Sequence, residues 1–119
     1  MHTMSLLENI EFHATNPFAQ PLLVEQTGRI LRFALAPGQK ISEHNAPTSP
    51  FYVVILKGRG RFSGGNGESH EVGPMTLLAF APGENHAVEA LDDELIFVGF
   101  LQGAPGARQE RTGGEIGRT

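Results

Sequence analysis

The chain has 119 residues, 39% of them hydrophobic, with 15 glycines, 8 prolines and neither cysteine nor tryptophan. That length suits one domain, and the Gly and Pro content suits short strands and tight turns better than long helices. A formal charge of −4 leaves no basic field for a phosphate backbone, and the missing cysteines exclude disulfides, thiolate catalysis and Cys-based zinc sites.

In chain order, residues 1–16 carry a weak pattern and read as an N-terminal arm. They lack the basic-then-apolar order of a secretory signal. Pro17 and Pro21 then force an extended path. Leu22 to Gln26 and Arg29 to Ala36 read as strands around the short turn Thr27-Gly28. Phe51 to Lys57 gives the strongest strand signal, apolar on both faces and therefore expected to be central and covered on both sides. It also contains the longest apolar run, Phe51 to Leu56, which is too short to cross a bilayer. Gly58 to Phe62 is expected to continue as a strand with Arg59 and Arg61 facing solvent. Ser63 to Gly67 reads as a turn, Glu68 to Val72 as a return strand, and Met75 to Ala81 as an apolar strand. His86 to Ala90 and Glu94 to Leu101 then form a hairpin around Asp92-Asp93. From residue 102 the hydrophobic period stops, so 102–119 reads as a flexible tail or an arm that packs on a partner subunit. About eight or nine closely spaced strands predict an all-β sandwich or barrel over residues 17–101. A soluble cytoplasmic protein without membrane or nucleic-acid contacts is the expectation.

Two histidines follow Pro-Gly turns: His44 lies six residues after Gly38, and His86 three after Gly83. Each turn is expected to deliver its imidazole to the start of an apolar strand. Two such strands facing each other across a barrel would bring the rings together at one end of a cavity. The remaining histidines, His2, His13 and His70, lie in the arm or an outer hairpin and read as solvent-facing or locally packed. Phe33, Phe62, Phe80, Phe97 and Phe100 read as core; Phe51 alone has a second reading, as a pocket floor. There is no G-x-S-x-G elbow, no phosphate-binding glycine loop and no H-E-x-x-H.

The spacing resembles the two motifs of the cupin superfamily, G-x5-H-x-H-x(3,4)-E-x6-G and approximately G-x5-P-x-G-x2-H-x3-N. Gly38 to His44 matches the opening of the first, and Gly58 its closing glycine. Gly73 stands at the turn that opens the second, and Gly83 and His86 match its G-x2-H, with Pro82 one place later than the pattern. The resemblance covers about Pro21 to Leu101 and implies a double-stranded β-helix barrel. In that family two histidines and a glutamate of the first motif and a histidine of the second bind a divalent metal. Here the second histidine position is Ala46, the glutamate position is Phe51, and the asparagine position closing the second motif is Ala90. Only His44 and His86 carry over as metal ligands.

Two classes of function follow, and the sequence leaves open whether the protein is an enzyme. In the first, His44 and His86 hold a labile divalent ion (zinc, iron, nickel or manganese) whose shell is completed by water or substrate, and which acts as a Lewis acid. In the second, a metal-free binding or sensing module holds a small organic ligand in an apolar pocket bounded by Ala46, Phe51, Val53, Ile55, Val88 and Ala90. Loss of the glutamate and one histidine favours the second on affinity grounds; retention of one histidine in each motif favours the first, and the sequence leans that way. A homodimer is expected, because such sheets leave edges and an apolar outer surface that pairing covers.

Overall fold

The computed structural model describes residues 1–103 and 114–116. Among them every regular element is a strand: β1 (Phe18–Glu25), β2 (Gly28–Leu35), β3 (Lys40–His44), β4 (Phe51–Lys57), β5 (Gly60–Ser63), β6 (Ser69–Val72), β7 (Leu77–Phe80), β8 (His86–Ala90), β9 (Leu95–Gln102) and β10 (Gly114–Glu115). They form two antiparallel sheets, a six-stranded one in the order β10-β1-β2-β9-β4-β7 and a four-stranded one in the order β3-β8-β5-β6. This is the expected all-β double-stranded β-helix. No helix among the described residues is long and apolar enough to cross a membrane.

Side-chain alternation fixes which face of each strand meets the core. On β4, Phe51, Val53 and Ile55 are buried, while Tyr52 between them is 39% exposed. The strand is central, lying between β9 and β7, but its outer face is not covered at Tyr52, which corrects the expectation of cover on both sides. The inner faces of both sheets meet in one apolar cluster that includes Leu35, Val53, Ile55, Leu95 and Phe97.

Several local readings change. β1 starts at Phe18 and runs through Pro21, where the pairing with β2 shifts register between Pro21 and Leu23. Among the described residues β10 pairs with Phe18 and Ala19 and nothing pairs with Pro21 on that side, an edge position where a proline is tolerated. The stretch from Gly58 to Phe62 is not continuous with β4, although it returns to a strand at Gly60 with Arg59 and Arg61 exposed as expected. Gly58 has φ +82°, and a Cβ there would overlap the Glu94 carbonyl, so the chain turns at Gly58 and leaves the six-stranded sheet for the four-stranded one. Arg61 is paired across strands with Glu71 at 2.9 Å and Glu89 at 3.4 Å.

The N-terminal arm is tied down by a buried charge. Arg32, 4% exposed on β2, donates hydrogen bonds to the carbonyl oxygens of Leu6, Glu8 and Asn9 and to Gln20 Oε1. Gln39 adds a bond from its side-chain amide to the His13 carbonyl at 2.9 Å. Of the segment read as a tail, Gly114–Glu115 form β10 against β1. Ile116 donates its N–H to the Pro17 carbonyl and packs against the core. Residues 104–113 and 117–119 lie outside the described residues, and with them the rest of that expectation.

Candidate functional site

The site is built by β3 and β8, which lie side by side in the four-stranded sheet. His44 and His86 are direct register partners across that pair, with ring centroids 4.3 Å apart and planes at 69°. The rings thus meet as expected, by a different route. They are cross-strand neighbours within one sheet rather than residues facing across the barrel, and His44 ends its strand instead of starting one. β3 (Lys-Ile-Ser-Glu-His) has one buried residue in five, so it offered no hydrophobic signal, and the sequence reading missed it.

A bulge brings His44 inward. The pairs are Ile41 with Val88 and His44 with His86, so β3 takes three steps where β8 takes two. With a side-chain period of two, residues 41 and 44 would normally lie on opposite faces. The extra residue cancels that difference, and Ile41 and His44 both line the same cavity.

His86 is buried, stacked on Phe51 with ring centroids 4.8 Å apart and 4.9 Å from Phe80. Burial, and secondly the neighbouring His44, push its pKa down to about 4, because charge is disfavoured in an apolar setting beside another imidazole. The proton positions follow from the partners. His44 Nδ1 lies 2.9 Å from the Ser42 carbonyl oxygen and His86 Nδ1 lies 3.1 Å from that of Glu84. A carbonyl only accepts, so both Nδ1 atoms carry hydrogen, and in the neutral ring Nε2 holds the lone pair.

The loops around the pair are stitched together. Asn45 donates to Asn85 Oδ1 at 2.8 Å, and the Gly83 N–H donates to the Ala46 carbonyl at 2.8 Å. Glu84 accepts from the Ala81 and Gly65 N–H groups, and these bonds hold its carboxyl below the usual carboxylate range.

The cavity beside the histidines is walled by Phe33, Phe51, Phe62, Phe80 and Phe97, with Ile41, Ala87 and Val88 between them. It leaves room for roughly one water. Of the pocket residues expected from sequence, Phe51 and Val88 stand in this wall. Val53, Ile55 and Ala90 are buried in the close-packed core and do not line the cavity, and Ala46 sits in the partly exposed loop after β3. Ile41, Ala87 and the four other phenylalanines were missed as lining; inward alternation was the available signal for the phenylalanines, whereas Ile41 lies on a strand without a hydrophobic signature and Ala87 lies out of phase with the buried His86 and Val88. Gly99 was missed as well. A Cβ there would come within 2.5 Å of Phe51 Cε1 and 3.1 Å of Phe33 Cε1, so the bare backbone of β9 makes room for the Phe51 ring.

The fold implies a metal, and the donor set does not fit one. Among the described residues no group of three or more His, Cys, Asp or Glu side chains is arranged to hold an ion. At the position matching the glutamate, Phe51 lays an aromatic ring against His86, and Ala46 offers no donor. Two imidazoles fall short of the three or four protein ligands that hold zinc and of the two-His-one-carboxylate set that holds iron.

Comparison with known proteins agrees with the fold. Residues 31–98 match the family model described as Cupin domain, which is more than half of the chain, and the chain belongs to the cupin family. An uncharacterised conserved protein with a double-stranded β-helix domain from Klebsiella pneumoniae is similar at 19% identity. It has a TM-score of 0.81, with 87% of this chain and 91% of that one covered. TT1209 from Thermus thermophilus is similar at 18% identity and TM-score 0.82, over 88% and 100% of the two chains. An RmlC-like cupin from Desulfovibrio desulfuricans is similar at 22% identity and TM-score 0.76, over 85% and 96%. These likenesses show the fold. No curated protein matches the chain.

Proposed function

We propose that this cupin barrel is a metal-independent binding or sensing module that takes a small organic molecule at its mouth. One observation carries the reading. Two imidazoles sit as cross-strand neighbours at an aromatic cavity, each with Nδ1–H engaged by the carbonyl two residues before it, which in the neutral ring leaves Nε2 as acceptor. Hydrophobic walls with a few fixed polar atoms are the usual composition of a ligand site. His86 is buried while His44 is exposed, so a ligand contacting both spans the boundary between cavity and solvent.

The test is NMR of histidine-labelled, EDTA-treated protein titrated with a fragment set. Saturable shifts of the His44 and His86 ring signals, lost in His86→Phe, are the expected result. Stoichiometric metal that co-purifies with the wild type and disappears in both His44→Phe and His86→Phe would overturn the reading in favour of a labile divalent ion.

Pairing of two copies belongs to the same proposal. Tyr52 and Val54 on β4 share the outer face of the six-stranded sheet with their partners Ala79 and Leu77 on β7. Leu77 is 67% exposed. An exposed apolar sheet face of this kind supports a homodimer.

A further inference from the structure

Resting on that reading of the barrel mouth, we infer that the ligand presents an uncharged –NH2 head, such as a primary amide, to the two histidines, and that carboxylates are rejected. The argument is one of complementarity. Among the described residues, every side chain lining the cavity apart from His44 and His86 is apolar: five phenylalanines, Ile41, Ala87 and Val88. None of these side chains supplies a hydroxyl, a carboxylate, an ammonium or a guanidinium. Among the described residues the only side-chain N–H groups in the wall are the two Nδ1–H, and both are already bonded to the Ser42 and Glu84 carbonyls. The wall therefore offers acceptors and no free side-chain donor.

A ligand oxygen that only accepts finds no side-chain partner there, and an anion would be desolvated without compensation. A group with two hydrogens on one atom matches two neighbouring Nε2 lone pairs. Water is one such group, and the free space holds roughly one. A primary amide nitrogen is another, similar in size, and can take the water's place. The same space restricts entry to the head group. The rest of the ligand extends outward past His44, which is exposed while His86 is not. A charged ammonium has the donors but must shed its hydration shell among phenyl rings, which costs more than shedding that of a neutral amide.

Four probes with the same propyl tail separate these cases: butyramide, butan-1-ol, butylammonium and butyrate, each titrated at pH 7.5 into metal-free protein and read from the histidine ring signals. Butyramide is expected to bind at least about tenfold more tightly than butyrate, with butanol between them and butylammonium weaker than the amide. Butyrate equal to or tighter than butyramide overturns the inference and leaves the binding reading standing, as does butylammonium outranking the amide. If no probe and no fragment moves either ring, the binding reading itself fails. Nitrogen-15 spectra give an independent check: both rings are expected to carry hydrogen on Nδ1, and hydrogen on Nε2 of either would overturn the donor–acceptor match.

Discussion

His86 couples the site to pH. In the folded protein its pKa is about 4, against 6.5 for an unperturbed imidazole. Above pH 6.5 the ring is neutral in both folded and unfolded chains and costs nothing. Between 6.5 and 4 the unfolded chain takes up a proton that the folded one refuses, so stability falls as pH falls, and the loss levels off below 4. At about 1.4 kcal/mol for each pH unit, the full loss is on the order of 3 kcal/mol. His86→Phe keeps an aromatic ring beside Phe51 and Phe80 and removes the titration. Urea melts at pH 7 and pH 4.5 are expected to show a smaller stability drop in the variant than in the wild type; equal drops would refute the assignment.

Two neighbouring features of the strands test how the mouth is shaped. Gly99 on β9 leaves the space that the Phe51 ring occupies. Gly99→Ala is expected to cost about 1–3 kcal/mol by overpacking. In a Phe51→Leu background the same change costs less, giving a coupling of about 1 kcal/mol in a double-mutant cycle. Strict additivity would mean that the two positions do not share this space. The turns give a second contrast. Gly38 and Gly58 have φ of +81° and +82°, but a Cβ at Gly38 meets nothing within 4 Å, whereas one at Gly58 meets the backbone of Glu94 and Leu95. Gly38→Ala carries only the left-handed backbone penalty, about 1–2 kcal/mol. Gly58→Ala must also move backbone between β4 and β5 and is expected to lower the thermal midpoint clearly more; equal midpoints would refute the argument.

At the scale of the molecule, the two outer regions of the six-stranded sheet differ. Arg32 anchors the arm over one region, where Ala34, Ile96 and Val98 are buried although they face outward. Around Tyr52 and Leu77 no such cover is present among the described residues, and this region is where a second copy is expected to dock. Size exclusion with light scattering is expected to give a dimer for the wild type at micromolar concentration and a monomer for Tyr52→Glu/Leu77→Glu. A monomeric wild type would exclude the pairing.

Dense apolar, β-branched and aromatic residues bounded by turn chemistry made β2, β4, β8 and β9 legible in the sequence, along with the two Pro-Gly turns, the pair of motif histidines and the donors missing at Ala46 and Phe51. These features are local: each depends on residues a few positions apart. β3 was not legible, because a mostly exposed strand bears no hydrophobic signature, and neither was its bulge, which depends on what β8 offers as a partner. Only the assembled sheets decided that His44 and His86 are adjacent in one sheet and that Gly99 yields its space to Phe51. They also decided that the cavity is an aromatic cleft with room for about one water rather than a roomy pocket. Cross-strand register and the volume left between two sheets arise from residues far apart in the chain, and no local pattern encodes them.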